Sequence, residues 1–279
     1  MTRPPRYRLP RVRIERTFTD EANRLTAGIV TPATANPRAI GHVFKAYTIC
    51  YLLSGSGHYS SPSGFACDVS AGDLIQRIPG EPHSLVRNMD GSWYEFYLTL
   101  PETVFAGLVR LGMMDPHLEV LHPGVDESTV SQIARYLRWM KDTIDADPRA
   151  ALLETERLLF ELLGRDRARR SRSPDAVAMQ RAASALRQGL DERVNMEEFA
   201  ARVGLGYEKF RKLFAATFGA SPKQYRMRYR IDEAKRFLAE RRLSIKEIAY
   251  RLGYSEVANF ANQFKRATGA SPGAYRERS

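Results

Sequence analysis

The sequence predicts a multidomain α+β protein: a β-barrel over residues 1–123, a helical pair over 124–164, and an all-α domain with two helix-turn-helix units over 174–279. Three observations predict it. The front of the chain alternates short apolar runs with Gly, Pro and Ser clusters; the apolar period then lengthens to three and four residues; and the last hundred residues contain one pattern twice. At 279 residues the chain is long enough for two domains that each bury a core.

The strands come first. "YTICYLLSGSGHYSSPSGFACDVSAGDLIQRIPGEPHSLVRN" breaks into closely spaced β-rich runs bounded by turn residues, the spacing of a sandwich or barrel. In "GSWYEFYLTL" the period of two places Trp93, Glu95, Tyr97 and Thr99 on one face and Tyr94, Phe96 and Leu98 on the other. From Asp126 the pattern is helical: Val130, Ile133, Leu137, Met140 and Ile144 form a narrow stripe. That stripe either packs on the strand domain or forms a dimer seam. Asp147-Pro148 supplies an N-cap and a first-turn proline for a second helix carrying Leu152, Leu159 and Leu163. "GRDRARRSRSPD" is polar and arginine-rich and is read as a linker over 165–173, with Ser173-Pro174 capping the helix that follows.

Composition narrows the function. No apolar run approaches the length of a membrane span, and no apolar h-region follows the basic "MTRPPRYRLPRVRIER", so a cytoplasmic protein with no membrane partner is expected. Cys50 and Cys67 are too few and too far apart for a disulfide framework or a zinc motif, and fit small buried hydrophobes. The net charge of +11 is uneven: residues 1–164 carry 17 Lys and Arg against 19 Asp and Glu, whereas residues 165–279 carry 26 against 13. Such a basic end fits a polyanion partner, or simply a solubilising face.

The repeat decides between them. "NMEEFAARVGLGYEKFRKLFAATFGASPKQYR" aligns with "SIKEIAYRLGYSEVANFANQFKRATGASPGAYR", pairing Ala200 with Ala249, Gly204 with Gly253, Phe210 with Phe260 and Phe214 with Phe264. Asn195 with Glu198, and Ser244 with Glu247, cap a short helix; a glycine ends it; a second helix follows and ends at "GASP". This is the helix-turn-helix plan. In each second helix the Phe pair must be buried, leaving outward Glu208, Lys209, Arg211 and Lys212 in copy one and Ala258, Asn259, Asn262 and Lys265 in copy two. Arg and Lys suit guanine O6/N7, Asn suits adenine and Ala a thymine methyl, so these eight residues are the expected DNA contacts and double-stranded DNA the expected partner.

The C-terminal pattern resembles the AraC/XylS transcription regulators. Their second unit reads close to I-x-x-I-A-x-x-x-G-F-x-x-x-x-x-F-x-x-x-F-K-x-x-x-G-x-S-P-x-x-Y-R, and "IKEIAYRLGYSEVANFANQFKRATGASPGAYR" matches nearly every fixed position, with Tyr254 for the usual Phe. "RYRIDEAKRFLAE" corresponds to the family's connecting helix through Arg230, Ala234 and Leu238. Asn262 stands where the family commonly has Arg, which replaces guanine reading by adenine reading or a weaker contact. The resemblance implies that one chain places two recognition helices in successive major grooves.

"GDLIQRIPGEPHSLVRN" resembles the second cupin motif through Gly72, Pro79-Gly80, His83 and Asn88. A metal-dependent cupin enzyme needs further ligands, usually H-x-H with a Glu, and only His58 lies near that region. No catalytic residue, metal or cofactor is therefore expected. A lone His83 serves either as a structural residue or, as metal-free barrels of this family imply, as an effector contact together with Glu95 and Tyr97. The expectation is a transcription regulator, an activator, with a cupin-like sensor for a small polar effector such as a sugar. A homodimer is expected, with RNA polymerase as a further partner. The alternatives are a metal-dependent cupin enzyme fused to a DNA-binding domain and a regulator that responds to no ligand.

Overall fold

The structure, a computed structural model, describes residues 13–62, 64–170 and 174–278. Most of the basic N-terminal run and the capping role expected of Ser173 lie outside the described residues. The chain divides into two compact units, Met1–Ser171 and Arg172–Ser279.

In the first unit the runs bounded by Gly and Pro become strands β1 (Arg13–Thr17), β2 (Arg24–Val30), β3 (Arg38–Val43), β4 (Tyr47–Ser54), β5 (Ser56–Ser60), β6 (Ala66–Ser70), β7 (Leu74–Arg77), β8 (Pro82–Arg87), β9 (Tyr94–Leu100) and β10 (Val120–Leu121). Among the described residues they pair, always antiparallel, into a six-stranded sheet of order β1-β2-β9-β4-β7-β10 and a four-stranded sheet of order β3-β8-β5-β6. The sheets face each other: Cys50, Leu52 and Ile75 of the first meet Tyr59, Val69 and Leu85 of the second in one core.

Strand β4 is buried along both faces, because alternate residues belong to different cores. Tyr47, Ile49, Tyr51 and Leu53 turn the other way, into a larger core shared with α1 (Glu102–Arg110), α2 (Glu127–Thr143) and α3 (Pro148–Arg170). Asp126 starts α2 by accepting the Thr129 amide at 2.8 Å, and Asp147 starts α3 by accepting the Arg149 and Ala150 amides, both at 3.2 Å. Val130, Ile133, Leu137, Met140 and Ile144 are all buried in that larger core with Leu25, Phe96 and Leu98. Of the two roles open to the stripe, packing on its own strand domain is the one it fills.

The stretch read as a linker is helical through Arg170. The division between the two units falls within the same stretch, after Ser171. Asp166 is buried, accepts the His122 amide at 2.7 Å and pairs with Arg170 one turn on at 2.9 Å, which fastens the end of α3 to the strand unit.

The second unit is helical throughout its described elements: α4 (Pro174–Arg187), α5 (Met196–Arg202), α6 (Tyr207–Phe218), α7 (Pro222–Glu240), α8 (Ile245–Arg251), α9 (Val257–Thr268) and α10 (Pro272–Arg278). The two copies of the repeat build the same object. Asn195 accepts the amides of Glu197 and Glu198 at 3.0 and 3.4 Å to begin α5. Ser244 and Glu247 close a reciprocal capping box on α8. Helices α6 and α9 each run 12 residues and end in a left-handed glycine, Gly219 or Gly269. Ser221 then caps α7, and Ser271 accepts the Ala274 amide at 3.2 Å at the start of α10.

The Tyr-Arg pair after each "GASP" has the same two tasks in both copies. Tyr225 and Tyr275 set their rings edge-on against Phe214 and Phe264. Arg226 and Arg276 reach the chain just before their unit's first helix: Arg226 donates to the carbonyls of Leu186, Gln188, Gly189 and Glu192, and Arg276 to that of Leu243. On the connecting helix, Arg230 adds bonds to the Leu190 and Glu192 carbonyls, both 2.8 Å, and its guanidinium lies over Tyr254 in the second copy.

Candidate nucleic-acid interface and effector site

Phe210, Phe214, Phe260 and Phe264 are fully buried, which fixes the rotation of α6 and α9 about their axes. The opposite faces are consequently exposed. All eight expected DNA contacts are solvent-exposed: Glu208, Lys209, Arg211 and Lys212 on α6, and Ala258, Asn259, Asn262 and Lys265 on α9. Glu208 holds Arg211 at 3.0 Å across one turn, so the guanidinium is already directed along the helix surface. Arg266, exposed and four residues after Asn262, shares that face of α9 and is missing from the sequence-based set; the i,i+4 spacing was the available signal.

Between the two copies lies a hollow of about 450 Å³ whose lining includes Arg193, Lys223, Arg226 and Arg230, with Gln263 contributed by α9. The second unit is thus basic in this hollow as well as on its recognition helices.

In the first unit, the three expected effector residues are not equivalent. His83 is buried on β8, stacked on Phe44 at 5.1 Å and facing Tyr59 at 6.5 Å, with its Nδ1 lacking a hydrogen-bond partner. Burial, reinforced by the nearby Arg77 charge, pushes its pKa down to about 3, so the ring is neutral at physiological pH. Glu95 on β9 is buried and fully engaged: Arg87 at 3.1 Å, Arg77 at 3.5 Å and the Trp93 indole N–H at 3.2 Å. Burial opposes its ionisation, but the two arginines prevail and hold the carboxyl below its usual range. Tyr97, two residues along the same face, is half-buried beside Gly28 of β2 and Cys50 of β4.

Arg77 and Arg87 are the residues that sequence reasoning missed. Each is buried, and each lies face-on to a ring, Arg77 over Phe44 at 5.1 Å and Arg87 over Trp93 at 5.0 Å. An arginine ending a short β-rich run, in "LIQR" and "HSLVR", was the signal. Asn88 of the cupin-like motif donates to the Ser56 hydroxyl at 2.7 Å and extends the pairing of β8 with β5. His58 is exposed and paired with Asp68 at 2.8 Å. Among the described residues no group of three or more His, Cys, Asp or Glu is placed to hold a metal ion, and no helix is long and apolar enough to cross a membrane.

Comparison with known proteins agrees with this division. Residues 33–163 match the AraC-like ligand binding domain, and residues 199–278 match a helix-turn-helix domain. The chain is 32% identical over 90 residues to the probable transcriptional regulator LumQ of Photobacterium leiognathi, a match covering 32% of this chain and 36% of LumQ. It is 27% identical to the arabinose operon regulatory protein of Salmonella typhimurium, over 90% of this chain and 92% of that protein. Among solved structures, the DNA-binding domain of AdpA in complex with a target DNA covers 36% of this chain and 90% of its own, at 28% identity and a TM-score of 0.35.

Proposed function

The chain belongs to the AraC family of DNA-binding transcription regulators, and on that premise we propose that it adjusts transcription in response to a small polar effector, a sugar or a molecule of similar size, held between the two sheets of its first unit. Double-stranded DNA is its partner. In this reading α6 reads one major groove through Lys209, Arg211 and Lys212, with Glu208 orienting Arg211; α9 reads the next through Ala258, Asn259, Asn262 and Lys265. The observation that carries it is the pair of recognition helices of equal length, each with its aromatic side buried and its polar side exposed.

Effector sensing draws support from the buried His83, whose ring stacks on Phe44, and from the half-buried Tyr97 on the same strand as Glu95. The signal would pass through β4 and β9, whose alternate residues face the core between the sheets and the helices α2 and α3. The protein would act in the cytoplasm as a homodimeric activator touching RNA polymerase, without a cofactor. Selection of the full chain against a randomised double-stranded DNA library tests the reading. A bipartite sequence with half-sites about one helical turn apart is expected, and its affinity should change with compounds that raise the melting temperature. A library that returns no bipartite preference overturns it.

A further inference from the structure

The polar side chains around the hollow between the two copies of the repeat offer donors and no free acceptor. Arg193, Lys223, Arg226 and Arg230 line it, and no Asp or Glu does. Its two glutamines point to the same chemistry. Gln224 commits its carboxamide oxygen to the Ser221 amide at 3.0 Å, and Gln263 commits its own to the Tyr254 hydroxyl at 2.9 Å, so each keeps its NH2 end free. The four cations divide by task. Arg226 and Arg230 are held by backbone carbonyls, which take their N–H groups and bring no net charge. Burial and the adjacent Arg230 charge hold the Arg226 pKa below its ordinary value, the mark of a positive neighbourhood. Asp191 and Glu192, in the loop before α5, temper the two arginines from a distance. Among the described residues neither pairs with any of the four, and the Glu192 carboxylate lies against Gly189 instead. Arg193 and Lys223 are exposed, and neither side chain holds a hydrogen bond or an ion pair.

Position narrows the ligand. Gln263 follows Asn262 and stands one turn after Asn259, so the hollow borders the face of α9 that carries the expected base contacts. Its other walls come from the starts of α5 and α7. Two helices in successive major grooves have a minor groove and its phosphate strands between them. We propose that the hollow is a phosphate site, filled by backbone phosphates of the DNA that runs between the two grooves. This rests on the reading of α6 and α9 as recognition helices. Phosphodiesters fit because each brings one negative charge and only acceptors to a lining of cations and donors. They carry no sequence information, so the site fixes where the two copies stand on the duplex.

The test uses the full chain and the duplex it selects. Arg193→Ala combined with Lys223→Ala removes the two unengaged cations and spares Arg226, which the fold needs; an unchanged melting temperature checks this. The slope of log affinity against log salt should fall by about two in that variant, alike for selected and scrambled duplexes. A second measurement replaces phosphates between the half-sites by uncharged methylphosphonates. The wild type should lose affinity, which reads the site without any variant, and the double variant should lose hardly any more. Sodium tripolyphosphate, added without DNA in a thermal-shift assay, separates the sources of phosphate. Stabilisation that the variant lacks, with both DNA measurements unmoved, keeps a phosphate site and overturns the DNA backbone as its occupant. An unmoved slope, full affinity on the methylphosphonate duplex and no tripolyphosphate effect overturn the site. A wild type that binds no duplex overturns the recognition helices instead, and the hollow then stands or falls on tripolyphosphate.

Discussion

Glu95 and Phe96 are neighbours on β9 that face different cores: Glu95 holds Arg77 and Arg87 between the sheets, while Phe96 sets its ring edge-on against Tyr136 of α2 at 6.1 Å. A change in the ion cluster therefore has one peptide to cross before it reaches the helices. Glu95→Ala leaves two guanidinium groups buried without a carboxylate, and we expect it to destabilise the first unit by about 3–5 kcal/mol, read as a lower denaturation midpoint. Tyr136→Phe keeps the edge contact and loses only the 2.7 Å bond to Thr155, for about 1 kcal/mol.

Acid should destabilise the first unit. His83 has a folded-state pKa of about 3 against an ordinary 6.5, so between those values the unfolded chain takes up a proton that the folded chain refuses. Stability is at its full value above pH 6.5 and falls as pH drops through that window, by up to about 1.4 kcal/mol per pH unit. The lowered carboxyl of Glu95 adds loss in the same direction at the acid end. Unfolding midpoints measured across pH should therefore slope less in His83→Gln.

The two turn glycines share a backbone conformation, φ +77° at Gly204 and +76° at Gly253, yet differ in surroundings. A methyl at Gly204 meets nothing, so Gly204→Ala carries only the left-handed strain, about 1–2 kcal/mol. A methyl at Gly253 would lie 2.2 Å from the Asp191 carbonyl oxygen, which is backbone and cannot swing aside. Gly253→Ala should be the more damaging of the two by a clear margin in thermal melts.

On DNA, Arg211→Ala should weaken specific binding by roughly ten- to hundredfold and relax base preference at one position of the selected site. Glu208→Ala, which frees Arg211 without removing it, should change preference less. Lys223→Ala, in the basic hollow, is expected to lower affinity for all sequences alike and to flatten the salt dependence by about one phosphate.

Much of the second unit was legible because its signals are local. A cap lies three residues from the amide it bonds, and a left-handed glycine marks its own helix end, so "GASP" and the Phe pairs could be placed without the tertiary fold. The Tyr-Arg pair was visible as a repeat, but its purpose was not, since Arg226 acts on carbonyls more than thirty residues away. The cluster of Arg77, Arg87 and Glu95 was hidden for the same reason: the three stand on β7, β8 and β9, divided between two sheets, and strand order follows from no local pattern. Residues 165–170 read as polar linker by composition, and the helix that runs through them has its buried contact, Asp166 with His122, at a distance of more than forty residues.

The loop from Gln188 to Glu192 precedes the first helix-turn-helix yet is gripped by Arg226 and Arg230 and presses its Asp191 carbonyl on Gly253 of the second. That makes the second unit a calliper with a locked screw. An inserted base pair turns the far groove by about 34°, and a locked gauge cannot follow it. Such a protein measures the distance between two short words as strictly as it reads the letters in them.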